Sequence, residues 1–374
     1  MKHLLDTQII ELLLYFFFAI IFIQLLYFWG LFSRFAFKKV KERKWANVPV
    51  SVVIVAKNEY YNLQKNLPAI LNQEYKDFEV IIVSDGSTDD TELLLLEMQA
   101  KYPNLNPVIL GDNVNFFYGK KFPLSIGIKS AKYDHLLLTD ADCEVSSKYW
   151  INDMASGFEE NKEVILGYGA YHNRKGLLNA IIRFETVQTA VQYLAYAISG
   201  IPYMGVGRNL AYTKQLFYDH QGFISHYRVG SGDDDLFIKQ VATKSNTIVQ
   251  INPNSFTLSE PEKKFGKWWS QKKRHYSSSG YYKPIHKFLL GLYPLTSLAF
   301  YILFGLLIFL GYDPNFVYAP FVLRMLSLYV IYGFSMHKLR ERKLILWIPF
   351  LEILMLLLSP MIMLSNLFFR KEKW

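Results

Sequence analysis

The chain has 374 residues, 51% hydrophobic and 17% aromatic against 20% charged, which is more apolar than an ordinary soluble domain. Its formal charge of +9, from 41 basic and 32 acidic residues, points to an anionic lipid surface, and with no nucleic-acid signature present no nucleic acid partner is expected. Cys143 is the only cysteine, which excludes an intramolecular disulfide and a cysteine-rich metal centre and fits a reducing compartment.

From Ile9 to about Trp29 the chain is almost continuously apolar, interrupted by Glu11 and Gln24. About 20 such residues cross a bilayer core. A cleaved signal peptide would have a shorter apolar core followed by small residues; here Phe28, Trp29, Leu31 and Phe32 follow. The basic cluster Arg34, Lys38, Lys39, Lys41, Arg43 and Lys44 then marks the cytoplasmic side.

Beyond residue 48 strand and helix signals alternate. Val50–Ala56, Phe78–Val83, Pro107–Leu110 and His135–Thr139 read as strands. Helices are expected at about Tyr61–Gln73, Asp89–Lys101 and Lys120–Ala131. Such alternation implies a parallel sheet with covering helices, whose functional residues lie at the carboxyl ends of strands. Leu177, Ile181, Phe184, Val187, Val191, Leu194 and Ile198 recur at helical spacing, predicting a helix that is either core or flat on a membrane.

Acidic motifs follow the strands. The first strand ends in Lys57-Asn58-Glu59 and the second in Ser84-Asp85-Gly86-Ser87-Thr88-Asp89. Turn formation and a cap at Asp89 explain Gly86 to Asp89, but not Asp85. The fourth strand runs into Asp140-Ala141-Asp142. On an extended segment two acids one residue apart point the same way, and hard oxygen ligands suit Mg²⁺ or Mn²⁺ with a substrate diphosphate. Gly119-Lys120-Lys121 opens a helix, where a lysine adds charge to an anion site. Later come Gly205-Val206-Gly207-Arg208-Asn209, in which Arg208 and Asn209 are candidate diphosphate or acceptor ligands, and Gly230-Ser231-Gly232-Asp233-Asp234-Asp235-Leu236. One helix cap needs one aspartate, so an extra acid is a candidate for proton abstraction. The three acids are expected on the first turn of the helix, about 100° apart. Trp268-Trp269-Ser270-Gln271-Lys272-Lys273-Arg274-His275 reads as a basic, aromatic interfacial anchor.

The last third holds three more apolar segments, Phe288–Leu310, Val317–Met336 and Leu344–Phe369. The basic connection His337, Lys338, Arg340, Arg342, Lys343 is expected to be cytoplasmic. Four crossings would place the basic tail Arg370, Lys371, Lys373 outside; alternatively the last segment, which contains Pro349 and Pro360, re-enters as a hairpin. Arg324 and Glu352 fall inside these spans and should pair or share a polar headgroup, because an intramembrane charge seeks a partner. The chain thus divides into an N-terminal transmembrane helix (1–33), a cytoplasmic domain (34–262), an interfacial segment (263–285) and a C-terminal membrane region (286–374).

The ordered set Asn58-Glu59, Asp85-Gly86-Ser87, Gly119-Lys120, Asp140-Ala141-Asp142, the aspartates before Leu236, and Gln271-x-x-Arg274 resembles the membrane-bound family-two glycosyltransferases, relatives of cellulose, chitin and hyaluronan synthases and of ceramide glucosyltransferase. The resemblance covers roughly Val50 to Tyr282. It implies an α/β, GT-A-type (Rossmann-like) nucleotide-sugar-binding domain flanked by transmembrane helices, and inverting transfer from a nucleoside diphosphate sugar, expected to be UDP-linked. By the same resemblance Glu59 and Asp85 contact the nucleoside and Lys120 lies near base or diphosphate. Asp140 and Asp142 hold Mg²⁺ or Mn²⁺ with the diphosphate, Asp233 is the base, and Gln271 with Arg274 closes over diphosphate and acceptor. The expected acceptor is a membrane-presented lipid or a glycan, at the inner or plasma membrane. Two positions depart from the pattern. Ser84 stands where the family often has an acid, and His275 where chain-elongating members have tryptophan. A processive synthase, a transporter and an inactive scaffold are the competing readings.

Overall fold

The computed structural model describes residues 2–40, 44–111 and 119–368; Lys41, Arg43 and the tail Arg370, Lys371 and Lys373 lie outside the described residues. The chain forms two compact units, Met1–Lys38 with Lys283–Leu364, and Lys39–Tyr282 with Ser365–Trp374. The first opens with α1 (Lys2–Leu25), which continues through a π-helical stretch, Leu26–Phe32, into α2 (Ser33–Ala36).

The second unit is α/β. Its strands are β1 (Val50–Ala56), β2 (Phe78–Asp85), β3 (Leu105–Leu110), β4 (His135–Leu138), β5 (Glu144–Val145), β6 (Val164–Leu166), β7 (Gly169–Tyr171), β8 (Leu210–Thr213), β9 (Thr247–Val249) and β10 (Thr257–Ser259). Its helices are α3 (Tyr60–Leu71), α4 (Thr91–Gln99), α5 (Lys121–Ser130), α6 (Trp150–Ala155), α7 (Leu177–Ile198), α8 (Lys214–Asp219), α9 (Asp235–Val241) and α10 (Phe265–Ser279). Seven strands form one sheet in the order β3-β2-β1-β4-β8-β6-β9, and β5-β10-β7 form a second. Val52, Val53 and Ile54 on β1 and Val80, Ile81 and Ile82 on β2 are buried, so successive side chains on both faces are covered, as in a parallel layer packed on both sides. The expected parallel sheet holds for β3-β2-β1-β4 but not beyond, because β8 pairs antiparallel with both β4 and β6. The chain between β4 and β8 is a long excursion rather than a single crossover helix, so nothing obliges β8 to return parallel.

Helix α7 falls where the periodicity places it. Ile181, Phe184, Val187, Val191 and Leu194 are all buried within the unit, which settles its two readings in favour of a core helix. Trp268 is likewise fully buried, so the interfacial-anchor reading fails for that ring, which packs in the protein interior.

The first unit resumes with α11 (Pro284–Phe309), α12 (Pro314–Lys338) and α13 (Ile348–Phe368). Among the described residues four helices are long and apolar enough to cross a membrane: Gln8–Ala36, Pro284–Phe309, Pro314–Lys338 and Arg342–Asn366. Pro360 sits inside the continuous helix α13, so the segment does not turn back on itself, against the hairpin alternative. Arg324 on α12 is fully buried and meets Glu352 on α13 through two bonds of 2.8 and 2.6 Å. Its second guanidinium nitrogen also donates to Gln24 of α1 at 3.1 Å. Gln24 in turn donates to Thr296 of α11 at 2.6 Å, and Tyr301 donates to Glu352 at 2.6 Å. The expected pairing is present, and it ties four helices together.

Candidate active site

Three chain reversals at the carboxyl ends of β1, β2 and β4 gather the acids. After β1, Asn58 takes φ +57°, a left-handed conformation that asparagine tolerates well. Its side-chain oxygen accepts from the Thr88 amide at 2.7 Å, and Ser87 and Thr91 hydroxyls accept from the amides of Asn58 and Glu59. The loops after β1 and β2 are therefore stitched together; Asp85 ends β2, and Glu59 stands at the cap of α3 just after the neighbouring parallel strand β1. The cap position of α4 is Asp90, whose side chain makes no capping bond, and not Asp89 as expected; Asp89, one residue earlier, accepts from the amide of Thr91 and also from the amide of Tyr60 on α3.

Asp140 and Asp142 follow β4 in a turn that leads to β5, not on an extended segment. The chain must reverse there to enter the small sheet, and the turn brings the two carboxylates together by a different route: ligand atoms of Asp140, Asp142 and Cys143 lie within 4.8 Å of one another. Lys120, the residue before α5, forms an ion pair with Asp140, and the charge of that lysine brings the Asp140 carboxyl below its usual range despite burial. Asp142 is pushed the other way, first by burial and then by the charge of Asp140. Burial also raises Glu59, with further upward pressure from Asp142 and Asp140, so all three acids share one electrostatic neighbourhood.

The aspartate run does not occupy one helical turn. Only Asp235 is inside α9; Asp234 is the cap residue and Asp233 precedes it. The Asp234 carboxylate accepts from the Gly207 amide at 2.7 Å, and Asp235 accepts from Ser278 and Tyr282 hydroxyls at 2.5 and 2.7 Å. Burial and the charges of Asp233 and Asp235 push Asp234 up to about 8. Asp233 lies in the field of both Lys120 and Lys121.

Gln271 and Arg274 are both on α10, and Arg274 faces Asp140 closely enough for its charge to act on that carboxyl. A Lys272–Glu185 ion pair, buried at both ends, fastens α10 to α7. His275 is exposed on the same helix.

Residues 51–227 match the family described as Glycosyl transferase family 2. The chain carries a family 2 glycosyltransferase domain. It is 29% identical over 141 residues to a poly-beta-1,6-N-acetyl-D-glucosamine synthase of Staphylococcus epidermidis, covering 36% of this chain and 32% of that protein. It is 26% identical over 236 residues to the probable glycosyltransferase YdaM of Bacillus subtilis, covering 60% of this chain and 54% of that one. The first of these alignments thus spans about a third of the relative's length. A mannosyltransferase of Pyrobaculum calidifontis, solved in complex with GDP-Man and Mn²⁺, shares the fold with a TM-score of 0.57 at 17% identity, over 93% of this chain and 99% of that one. The transferase domain has the GT-A, Rossmann-like fold, flanked by long apolar helices.

Within the transferase domain the acid pair suits a hard divalent cation. Lys120 neutralises Asp140, whereas Asp142 stays under-compensated. Cys143 is not a fitting third ligand: burial pushes its thiol up to about 12, and it is hydrogen-bonded to Ser259. Arg208 lies beside the pair, donates to the carbonyls of Gly169 and Ala170 at 2.9 and 3.1 Å, and stacks over Tyr171.

Asn209 falls elsewhere. Its side chain is fully buried, accepting from the Trp150 indole at 3.1 Å and donating to the carbonyls of Tyr168 and Ser255. That side chain pins the strand framework of the transferase domain, and the ligand role expected for it meets no exposed amide. Lys121 stands in the helix-opening motif with no role of its own legible there, and Ser278 and Tyr282 belong to no motif. They bind the aspartate loop from α5 and from the end of α10, and no local pattern in their own segments signals those distant partners.

Proposed function

We propose that the chain is an inverting, metal-dependent glycosyltransferase that moves a sugar from a nucleoside diphosphate donor, UDP-linked, to a hydroxyl presented at a membrane. One observation carries the reading: Lys120 is paired with Asp140 while lying in the field of Asp233, so the acids suited to a metal–diphosphate and the acid suited to proton abstraction border the same ammonium.

Asp233 would take the acceptor proton as the acceptor oxygen bonds to the anomeric carbon and the diphosphate oxygen leaves from its opposite face. Asp234 and Asp235 accept internal hydrogen bonds, which leaves Asp233 the best placed of the three to meet an acceptor. Asp140 and Asp142 would hold Mg²⁺ or Mn²⁺, which when bound supplies positive charge to the departing diphosphate. Arg274, with Gln271 one turn away, would add charge and a hydrogen bond there. Glu59 and Asp85 would face the nucleoside. Arg208 would serve the diphosphate or acceptor electrostatically from its place beside the acid pair.

The acceptor we favour is a lipid-linked hydroxyl in cell-envelope glycolipid or polysaccharide synthesis. The three apolar helices found after the transferase domain among the described residues are few for a polymer channel, and His275 in the tryptophan position argues for single transfer. The basic segments next to the apolar helices support a transferase domain on the cytoplasmic side of the inner or plasma membrane. Single cysteines at 313 and 341 in a Cys143→Ser background check the orientation: 313 should label from outside and 341 only after permeabilisation, and the reverse pattern would overturn it.

The activity test is incubation of membranes with a panel of labelled UDP- and GDP-sugars, following label into lipid or polymer. Asp233→Asn should cut turnover by about 10² to 10⁴ with nucleotide affinity nearly unchanged. Near-normal turnover in Asp233→Asn with loss in Asp234→Asn would move the base by one residue.

A further inference from the structure

Adjacent lysines at the start of α5 face different partners. Lys120 grips Asp140. Lys121, buried to 5% exposure, donates to three backbone carbonyls of one loop: His226 at 2.9 Å, Val229 at 2.5 Å and Ser231 at 2.6 Å. An ammonium has three donors, and this one places all of them on the segment that leads into Asp233. Gly119 makes a further approach to the same loop. Its φ is +115°, and a Cβ there would sit 2.7 Å from the Gly230 carbonyl oxygen, so only glycine lets the two backbones come this close.

The loop is also held at its far end. Asp234 accepts from the Gly207 amide, and Asp235 accepts from Ser278 and Tyr282. Asp233 therefore sits between two anchored stretches of backbone. The one on its N-terminal side depends on a charge whose chain neighbour pairs with Asp140.

We infer that Lys121 is a positioning residue for transfer: its ammonium, seated on the carbonyls of residues 226, 229 and 231, sets the Asp233 carboxylate at a fixed place relative to Asp140 and Asp142. The inference rests on the reading of Asp233 as the base. It assigns Lys121 no contact with donor or acceptor, so the effect of replacing it should fall on turnover and not on binding. Displacing a reacting group by about 1 Å can cost on the order of 10²-fold in rate.

The test uses the full chain in native membranes, with the donor found by the labelled panel and UDP with Mn²⁺ as the binding probe. Lys121→Met should lower kcat by roughly 10 to 100-fold while donor KM and UDP binding stay within about 2-fold of the parent. Lys121→Arg, which keeps charge and donors, should recover part of the loss. In an Asp233→Asn background Lys121→Met should cost nothing further, because it acts through that carboxylate. Amides 227–232 should exchange faster with deuterium in Lys121→Met, with α5 itself unchanged. Where Lys121→Met does not fold, Lys121→Gln, which keeps two donors, carries the same comparison. A normal kcat in Lys121→Met, or parallel losses of kcat and UDP binding, overturns the inference. A silent Asp233→Asn brings down the base assignment instead; an inactive Asp233→Asn beside a fully active Lys121→Met removes only the positioning role.

Discussion

Both units bury charged side chains, but they resolve them differently. In the apolar bundle Arg324 meets Glu352 through two bonds, Gln24 takes a third, and Tyr301 donates to the same carboxylate. In the transferase domain acids outnumber the cations placed beside them. Lys120 is paired with Asp140, yet Asp142 is raised above its ordinary range by burial and the charge of Asp140, Glu59 by burial and the charges of Asp142 and Asp140, and Asp234 is pushed up to about 8. A buried charge with its counter-charge built in is a structural clamp. A cluster of acids short of positive charge is a place where a cation bound with substrate can supply what the protein does not.

The largest effect expected from this contrast is at Asp142. Asp142→Asn should lower turnover by at least about 10³-fold and remove metal-dependent UDP binding, while the midpoint of thermal unfolding stays level or rises, since a poorly compensated buried charge has been neutralised. EDTA should reproduce the loss and Mg²⁺ or Mn²⁺ restore it. Full turnover in chelator would break the comparison at its stronger end.

The bundle should respond in the opposite sense, with stability lost. Arg324→Met alone should destabilise by about 3–5 kcal/mol, because it strands the Glu352 carboxylate away from water. The double replacement Arg324→Met, Glu352→Met should come back to within about 1–2 kcal/mol of the parent, as buried ion pairs replaced by apolar side chains often do. Thermal unfolding of the four variants in detergent reads the cycle. Strictly additive losses would show that the two residues do not act as a pair.

Much of this protein is local in origin. The β-branched run Val50–Ala56 and the strand beginning at Phe78 set their elements through periodicity, which depends on near neighbours alone. Apolar length sets the four long helices in the same way. The order of the acidic motifs at successive strand ends is likewise a property of the chain, because a parallel α/β layer delivers such ends to one edge. Only tertiary structure decided the rest. Between residues 139 and 209 the chain adds strands to the small sheet and contributes β6 to the large one, and β8 then enters antiparallel between β4 and β6. Asp140 and Asp142 converge through a turn rather than along a strand, because the chain reverses to reach β5. Asn209 and Trp268 look like surface recognition residues in sequence but are core residues, since burial depends on what arrives from the far end of the chain. Lys121 differs from Lys120 by one step, and what separates the two is a loop more than 100 residues away whose three carbonyls point at one ammonium and not the other.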